Sequence, residues 1–197
     1  MSTELLSTEP LRVAVIVGST REGRRGRVIA DWLVRELAER TDLTIDLLDL
    51  AEVDLPHVMP GQPDARLPPF QARIERADAF VVVTPEYNHS YPASLKHAID
   101  LAHAEWKRKP VGFVSYGGVS GGLRAVEHLR GVFAELHATT VRESVSFHGA
   151  WNGFGDRDHP ADPVSARQAV TVMADDLVWW GRTLRAGRSL ELVDANW

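Results

Sequence analysis

No cysteine occurs anywhere in the 197 residues. Disulfide staples, thiolate nucleophiles and cysteine-bound metals are thereby excluded, and the absence fits a reducing, cytoplasmic setting. No apolar run approaches the ~20 residues that cross a bilayer. Residues 1–10 lack the basic start and apolar core of a secretion signal, so no membrane partner is expected. Nor is there a basic surplus: 22 Lys and Arg stand against 27 Asp and Glu, a formal charge of −5, and no nucleic-acid partner is expected. The histidines, such as His97 with His103 or His128 with His137, are not at helical ligand spacing, so no metal site is expected. Repeats and low-complexity tracts are missing too. What remains is 44% hydrophobic and 25% charged, the balance of a globular domain with its own core.

The apolar pattern predicts alternating strands and helices. Strands are expected at Leu11–Val17, Thr44–Leu50, Ala79–Thr84, Val111–Tyr116 and Thr140–Phe147. Helices are expected from near Gly26 to Arg40, over a short stretch from Phe70 to Arg76, and over Pro92–Trp106. Two more follow, one marked by Ala125, Leu129, Val132, Phe133 and Leu136 and one long helix at Val164–Ala186. Residues 1–10 and 187–197 read as tails around one domain spanning 11–186. Such alternation implies a parallel α/β sheet with helices on both faces. Ligands bind such sheets beyond the carboxyl ends of the strands. The loops Gly18–Gly26, Pro85–Pro92 and Gly117–Gly122 all leave those ends, so they are expected to meet.

The first of these loops organises the reading. Gly18-Ser19-Thr20-Arg21-Glu22-Gly23-Arg24-Arg25-Gly26 joins a buried strand to an amphipathic helix. Glycines let backbone N–H groups approach a ligand. Ser19 and Thr20 add hydroxyls, Arg21, Arg24 and Arg25 add guanidinium forks, and the helix start adds partial positive charge. The spacing matches neither the dinucleotide fingerprint nor a P-loop, since Arg24 and Arg25 stand where Lys and Ser or Thr would. A monophosphate held without metal fits these residues.

The other two loops are less specific alone. Thr84-Pro85-Glu86-Tyr87-Asn88-His89-Ser90-Tyr91-Pro92 is a rigid, proline-bounded turn that can offer N–H groups and an aromatic edge to a flat ligand, or can simply bond to itself. Ser115-Tyr116-Gly117-Gly118-Val119-Ser120-Gly121-Gly122 bares its backbone. It also contains G-x-S-x-G, which predicts a rival: a serine hydrolase with Ser120 as nucleophile, Asp156 or Asp158 as acid and His159 as base. That reading leaves the arginines of the first loop unexplained. Asp49 and Asp54 read as solvated caps, Lys96 as an ion-pair partner, and Trp32, Trp179 and Trp180 as core or interface. Trp151 is placed near the ligand edge.

The residues Gly18-Ser19-Thr20-Arg21, Pro85-Glu86-Tyr87-Asn88 with Ser90 and Pro92, Leu95-Lys96-His97-Ala98-Ile99-Asp100, and Gly121-Gly122-Leu123-Arg124-Ala125 resemble the NAD(P)H-dependent FMN reductases. These are flavodoxin-like quinone, azo-dye and chromate reductases, and the resemblance spans about residues 11–147. It implies a five-stranded parallel sheet in the order 2-1-3-4-5 with noncovalent FMN. By matching position, Ser19, Thr20, Arg21, Arg24, Arg25 and Gly26 resemble the phosphate site. Pro85, Glu86, Tyr87 and Asn88 resemble the isoalloxazine loop. Ser115, Tyr116, Gly117, Gly118 and Gly121 resemble the pyrimidine side. Many relatives carry Ser in place of Arg24, Asn in place of Gly26 and Asn in place of His97. No catalytic side chain is implied, because the flavin carries the chemistry. Hydride from NADPH or NADH would pass through FMN to a small-molecule acceptor such as a quinone, azo dye, chromate or free flavin. The resemblance also implies a homodimer, often paired into a homotetramer. The expected apolar contacts are the helix Pro92–Trp106 and the loop around Trp151 and Phe154. A flavodoxin-like electron carrier is the alternative within the same fold.

Overall fold

Valine, isoleucine and phenylalanine fill the segments that become strands, and such side chains suit a pleated surface covered on both sides. The computed structural model describes residues 9–149, 154 and 159–190. Its strands are β1 (Leu11–Val17), β2 (Leu43–Asp49), β3 (Ala79–Pro85), β4 (Pro110–Tyr116) and β5 (Thr139–Phe147). All pair in parallel, in the order β2-β1-β3-β4-β5 that the resemblance implied. β1 sits between β2 and β3, so the winding reverses there. A crevice opens where the connections leave β1 and β3 in opposite directions.

Among the described residues five α-helices cover the sheet: α1 (Gly26–Ala38), α2 (Leu67–Arg76), α3 (Ala93–Asp100), α4 (Leu123–Glu135) and α5 (Pro163–Ser189). Strand alternation divides the core between the two faces. Val13, Val15, Val17, Val81 and Val83 pack with Ile29, Trp32 and Leu33 of α1 and Val170, Met173 and Leu177 of α5. Ala14, Ile16, Phe80, Val82 and Phe113 pack with Phe70 and Ile74 of α2, Leu95 and Ile99 of α3, and Leu129 and Phe133 of α4.

Several boundaries differ from the sequence pattern for identifiable reasons. α2 starts at Leu67 and takes Pro68 and Pro69 into its first turn, where a missing N–H costs nothing. The single helix expected over Pro92–Trp106 is two pieces: α3 ends at Asp100, and Ala104–Trp106 forms a separate 3-10 turn. The Trp106 indole folds back and donates to the carbonyls of Ile99 (3.1 Å) and Ala102 (3.0 Å), taking over acceptors that a continuous helix would have used. α5 begins with Asp162 capping the Ser165 N–H at 3.1 Å and runs on to Ser189, three residues past the expected end at Ala186, although its last buried residue is Gly181. β5 takes three residues, Val141, Arg142 and Glu143, where β4 takes Gly112 alone. Arg130 of α4 closes this bulge by donating to the carbonyls of Val141 (2.7 Å) and Arg142 (2.9 Å).

The amino-terminal edge of the sheet is tied by charge. Asp78 accepts from the Arg12 N–H at 3.1 Å and from Arg185 and Arg188 at 3.3 Å each. Arg185 also reaches the carbonyls of Glu9 and Pro10. Beside them the buried Lys109 ammonium donates to the carbonyls of Ile74 (3.0 Å) and Glu75 (2.8 Å) at the end of α2. Burial pulls its pKa down from the ordinary lysine value to about 8.

The aromatic expectations divide. Trp32 is core, edge-on to Phe147 and Phe154. Phe154 is itself buried, so it offers no apolar surface to a partner. Leu95, Ala98 and Ile99 of α3 are also buried, and the exposed apolar helix expected there is not found. Trp180 packs partly against the core, whereas Trp179 is 60% exposed. Lys96 pairs with Asp100 at 2.6 Å, as expected. Trp151, Asp156, Asp158, residues 1–8 and residues 191–197 lie outside the described residues.

Candidate active site

Three strand ends deliver the three glycine- and proline-marked loops to one crevice. A cleft of about 130 Å³ is lined by Ser19, Arg21, Arg24, Arg25, Pro85, Glu86, Tyr87, Tyr116, Gly117 and Gly118. Ten of the residues singled out from sequence therefore meet there. Gly26, Ser115 and Gly121 stand behind the lining, Asn88 is exposed at the turn tip, and Thr20 faces a neighbouring hollow with Leu50, Pro56 and Ser94.

The first loop continues β1 by one bond, Gly18 N–H to the Val83 carbonyl at 2.9 Å. The Ser94 hydroxyl at the start of α3 then fixes the Gly18 carbonyl at 2.9 Å. The chain turns back with Arg24 N–H on the Arg21 carbonyl and Gly23 at φ 66. α1 starts with no side-chain cap and no acidic residue in its first turn, so its leading N–H groups remain available to an anion. Gly26 permits a close approach: a Cβ there would lie 2.8 Å from the Tyr116 hydroxyl and 3.1 Å from Val17.

Three aromatic and hydroxyl groups line the centre. The fully buried Ser19 shares a hydrogen bond with the Tyr87 hydroxyl at 2.8 Å. The Arg21 guanidinium stands 6.0 Å from the Tyr87 ring centroid, within cation–π range. Burial pushes the Tyr116 phenol well above its usual pKa, while a hydrogen bond with Ser19 pulls the other way. Tyr116 therefore stays neutral and can donate.

The second loop is tighter than its sequence suggests. Tyr87 and Ser90 exchange both backbone hydrogen bonds, at 2.8 and 3.0 Å. The residues between them, Asn88 and His89, both have positive φ, 49 and 73. Two positive φ values in a two-residue turn are the type I′ geometry. The third loop swings through Gly121 (φ 60) and Gly122 (φ 87). A Cβ at Gly122 would come within 2.7 Å of the Ser115 side chain. Ser115 and Ser146 both donate to the Gly121 carbonyl at 2.9 Å, so Ser115 shapes the loop from beneath.

Glu86 joins these two loops. Its carboxylate accepts a short hydrogen bond from Ser120 and pairs with Arg124 at 3.0 Å. The hydrolase reading does not survive this contact. That reading needs His159 to take the serine proton, and Ser120 gives its hydrogen to Glu86 instead. The acid candidates lie outside the described residues, and His159 is exposed.

The sequence pattern did not find the ionic support behind the first loop. Asp49, at the end of β2, is buried rather than a solvated cap: its side chain is 1% exposed and pairs with Arg24 at 2.6 Å. Arg27 reaches the same oxygen at 3.5 Å and is held by Glu52 at 2.6 Å and Asp31 at 2.9 Å. Only the strand register, which sets Asp49 beside Val17, signals that this carboxylate faces the loop. Asp54, by contrast, is exposed, 3.9 Å from Arg66. The Arg24 Nε is buried and has no hydrogen-bond partner. Such an orphan is costly, and a phosphate oxygen is the acceptor that a cluster of guanidinium groups suits. The donor set thus fits the phosphate of FMN.

Residues 11–152 match the profile described as NADPH-dependent FMN reductase. The chain belongs to that family. Family membership makes it an oxidoreductase with FMN as cofactor and NAD(P)H as reductant. An NAD(P)H-dependent FMN reductase of Schizosaccharomyces pombe is 40% identical over 152 residues, covering 70% of this chain and 74% of that protein. A quinone reductase of Pseudomonas putida is 32% identical over 187 residues, covering 88% and 96%. The solved NAD(P)H:acceptor oxidoreductase FerB of Paracoccus denitrificans superposes with a TM-score of 0.69 at 26% identity, covering 88% of this chain and 98% of that one. No helix among the described residues of this FMN reductase family member is long and apolar enough to cross a membrane.

Proposed function

We propose that this protein passes hydride from NAD(P)H through FMN to a quinone or a similar planar acceptor, with azo dyes, chromate and free flavin as further substrates. The observation that carries this reading is the buried, unpartnered Arg24 Nε in a cleft that Ser19, Arg21 and Arg25 also line. FMN supplies the hydride chemistry when bound. Ser19, Arg21, Arg24 and Arg25, with the leading N–H groups of α1 from Gly26, hold its phosphate, and Thr20 closes the loop from the far side. Pro85, Glu86 and Tyr87, with Asn88 at the turn tip, would wall the ring, and Tyr116, Gly117 and Gly118 would meet its polar edge. Ser115 and Gly121 keep the third loop in shape. The cleft encloses about 130 Å³, below the roughly 300 Å³ of a pocket that buries its whole ligand. Bound FMN would therefore stay partly exposed there, where reductant and acceptor could reach it.

This exposure favours a homodimer, paired further into a tetramer, in which a second copy roofs the ring. Apolar residues for this contact are exposed beside the site: Val119 (94%) and Leu123 (42%) by the third loop, Val58 (74%) and Met59 (57%) by the hollow next to Thr20. The absence of cysteine favours the cytoplasm as its place of work. An absorption spectrum of the purified protein, followed by NADPH and NADH oxidation with a quinone, tests the proposal. Flavin absorbance with quinone-dependent nucleotide oxidation is expected. A bound flavin without oxidation would make it an electron carrier, and no flavin binding would remove the reading altogether.

A further inference from the structure

We infer that Asp49 is a positioning residue for the flavin phosphate, acting through Arg24. The inference rests on the FMN reading above and goes beyond it, since Asp49 itself does not line the cleft. Every acceptor position of its carboxylate in use is accounted for. Oδ1 takes the Ala51 N–H at 3.1 Å, and Oδ2 takes Arg24 Nη2 at 2.6 Å and Arg27 Nη1 at 3.5 Å. Arg27 is itself anchored on Asp31 and Glu52. The carboxylate therefore cannot swing, and the guanidinium it holds is fixed at one end.

A buried ion pair is a weak source of net stability, because desolvation offsets most of the attraction. Orientation accounts better for this one. Without Asp49 the Arg24 side chain would be free to turn away from its neighbours Arg21 and Arg25, which carry the same charge. Held through Nη2, it keeps its Nε inside the protein with no acceptor. A guanidinium pinned on one side and unsatisfied on another is a preorganised anion donor, with its rotamer entropy spent before the ligand arrives. Planarity matters here, since a lysine could bond to Asp49 but would present no second fixed donor. An asparagine at position 49 would also fail, because both carboxylate oxygens accept and an amide offers a single acceptor.

The test compares FMN with riboflavin, which lacks the phosphate, by flavin-fluorescence titration of the apoprotein. Wild type is expected to prefer FMN strongly. Asp49→Asn should weaken FMN binding by tenfold or more and leave riboflavin binding within about twofold, so that the FMN-to-riboflavin ratio collapses. Arg24→Ala should lower the same ratio, and the double variant should lose no more than Arg24→Ala alone. Should Asp49→Asn fold poorly, Arg24→Lys keeps Asp49 and the charge, and it too should lose the ratio. An unchanged ratio in either Asp49→Asn or Arg24→Lys overturns the inference, as does an equal loss for both flavins, which would mark a purely structural role. A wild type with no preference for FMN would instead remove the phosphate-site reading itself.

Discussion

Gly26 and Tyr116 share one space at the floor of the cleft. A methyl group at residue 26 would press on the Tyr116 hydroxyl at 2.8 Å and on Val17 at 3.1 Å. Gly26→Ala should destabilise the chain by about 1–3 kcal/mol through this overpacking and weaken FMN binding. Adding Tyr116→Phe removes the nearer atom and should restore part of both losses; thermal melts and flavin titrations of the pair read this out. Arg21 makes a different kind of contribution. A charged hydrogen bond to phosphate contributes on the order of 2–3 kcal/mol, so Arg21→Ala should weaken FMN binding by tens of fold. An unchanged affinity would remove Arg21 from the phosphate site. The sequence showed these residues because loops at strand ends write their ligand chemistry locally: glycines, hydroxyls and arginines stand within nine positions. It hid Asp49, whose partner lies 25 positions away. An acidic residue just after an apolar strand looks the same whether solvent or an arginine faces it. It likewise hid the link from Glu86 to Ser120 and Arg124, and so left the serine open to a nucleophile's role.

At the scale of elements, the strands were legible to within a residue at each end, because their short length, β-branched content and flanking turn residues separate them from buried helix segments. Helix ends were less so. The break in α3 depends on where the Trp106 indole goes, which no periodicity records. The same holds for α2 and the lysine at its end. Lys109 is held to the last carbonyls of α2 by a buried ammonium whose pKa is lowered to about 8. Between pH 8 and the ordinary lysine range, the unfolded chain keeps this proton while the folded chain gives it up. The unfolded state then binds more protons, so stability rises with pH across that window. Below pH 8 both states are charged and the cost of burial is constant. Denaturant melts from pH 7 to 10 should show wild type gaining on Lys109→Met above pH 8. A pH-independent difference between the two proteins would contradict the shift.

The whole molecule raises the question of what covers the flavin. The sequence suggested apolar contacts on the helix after the second loop and around Phe154, but these side chains serve the core. Exposed apolar residues at the cleft end of the sheet are instead Val58, Met59, Val119 and Leu123, while Val164, Val172, Trp179 and Leu190 of the α5 region are exposed as well, and exposed apolar surface of this kind marks an interface. Light scattering should therefore give at least twice the chain mass, and a charged residue at Val119 should lower both the mass and the activity. On the proposed reading, reductant and acceptor share one exposed face of the flavin and bind there in turn. Double-reciprocal plots at several quinone concentrations should be parallel, the pattern of ping-pong turnover. Intersecting lines would mean that both substrates bind at once.

The ties around Asp78 have a practical corollary. Arg185 bonds to the carbonyls of Glu9 and Pro10, so the start of the described chain and the last turns of α5 lie together at the sheet edge opposite the cleft. Replacing residues 1–8 and 191–197 by a short linker between these two points and cutting the chain elsewhere would give a circularly permuted protein with its cleft intact. The same corner is a natural point of attachment to a solid support. Molecules grafted through it would all present the cleft to the liquid, as a sensor electrode fed by a dissolved quinone requires.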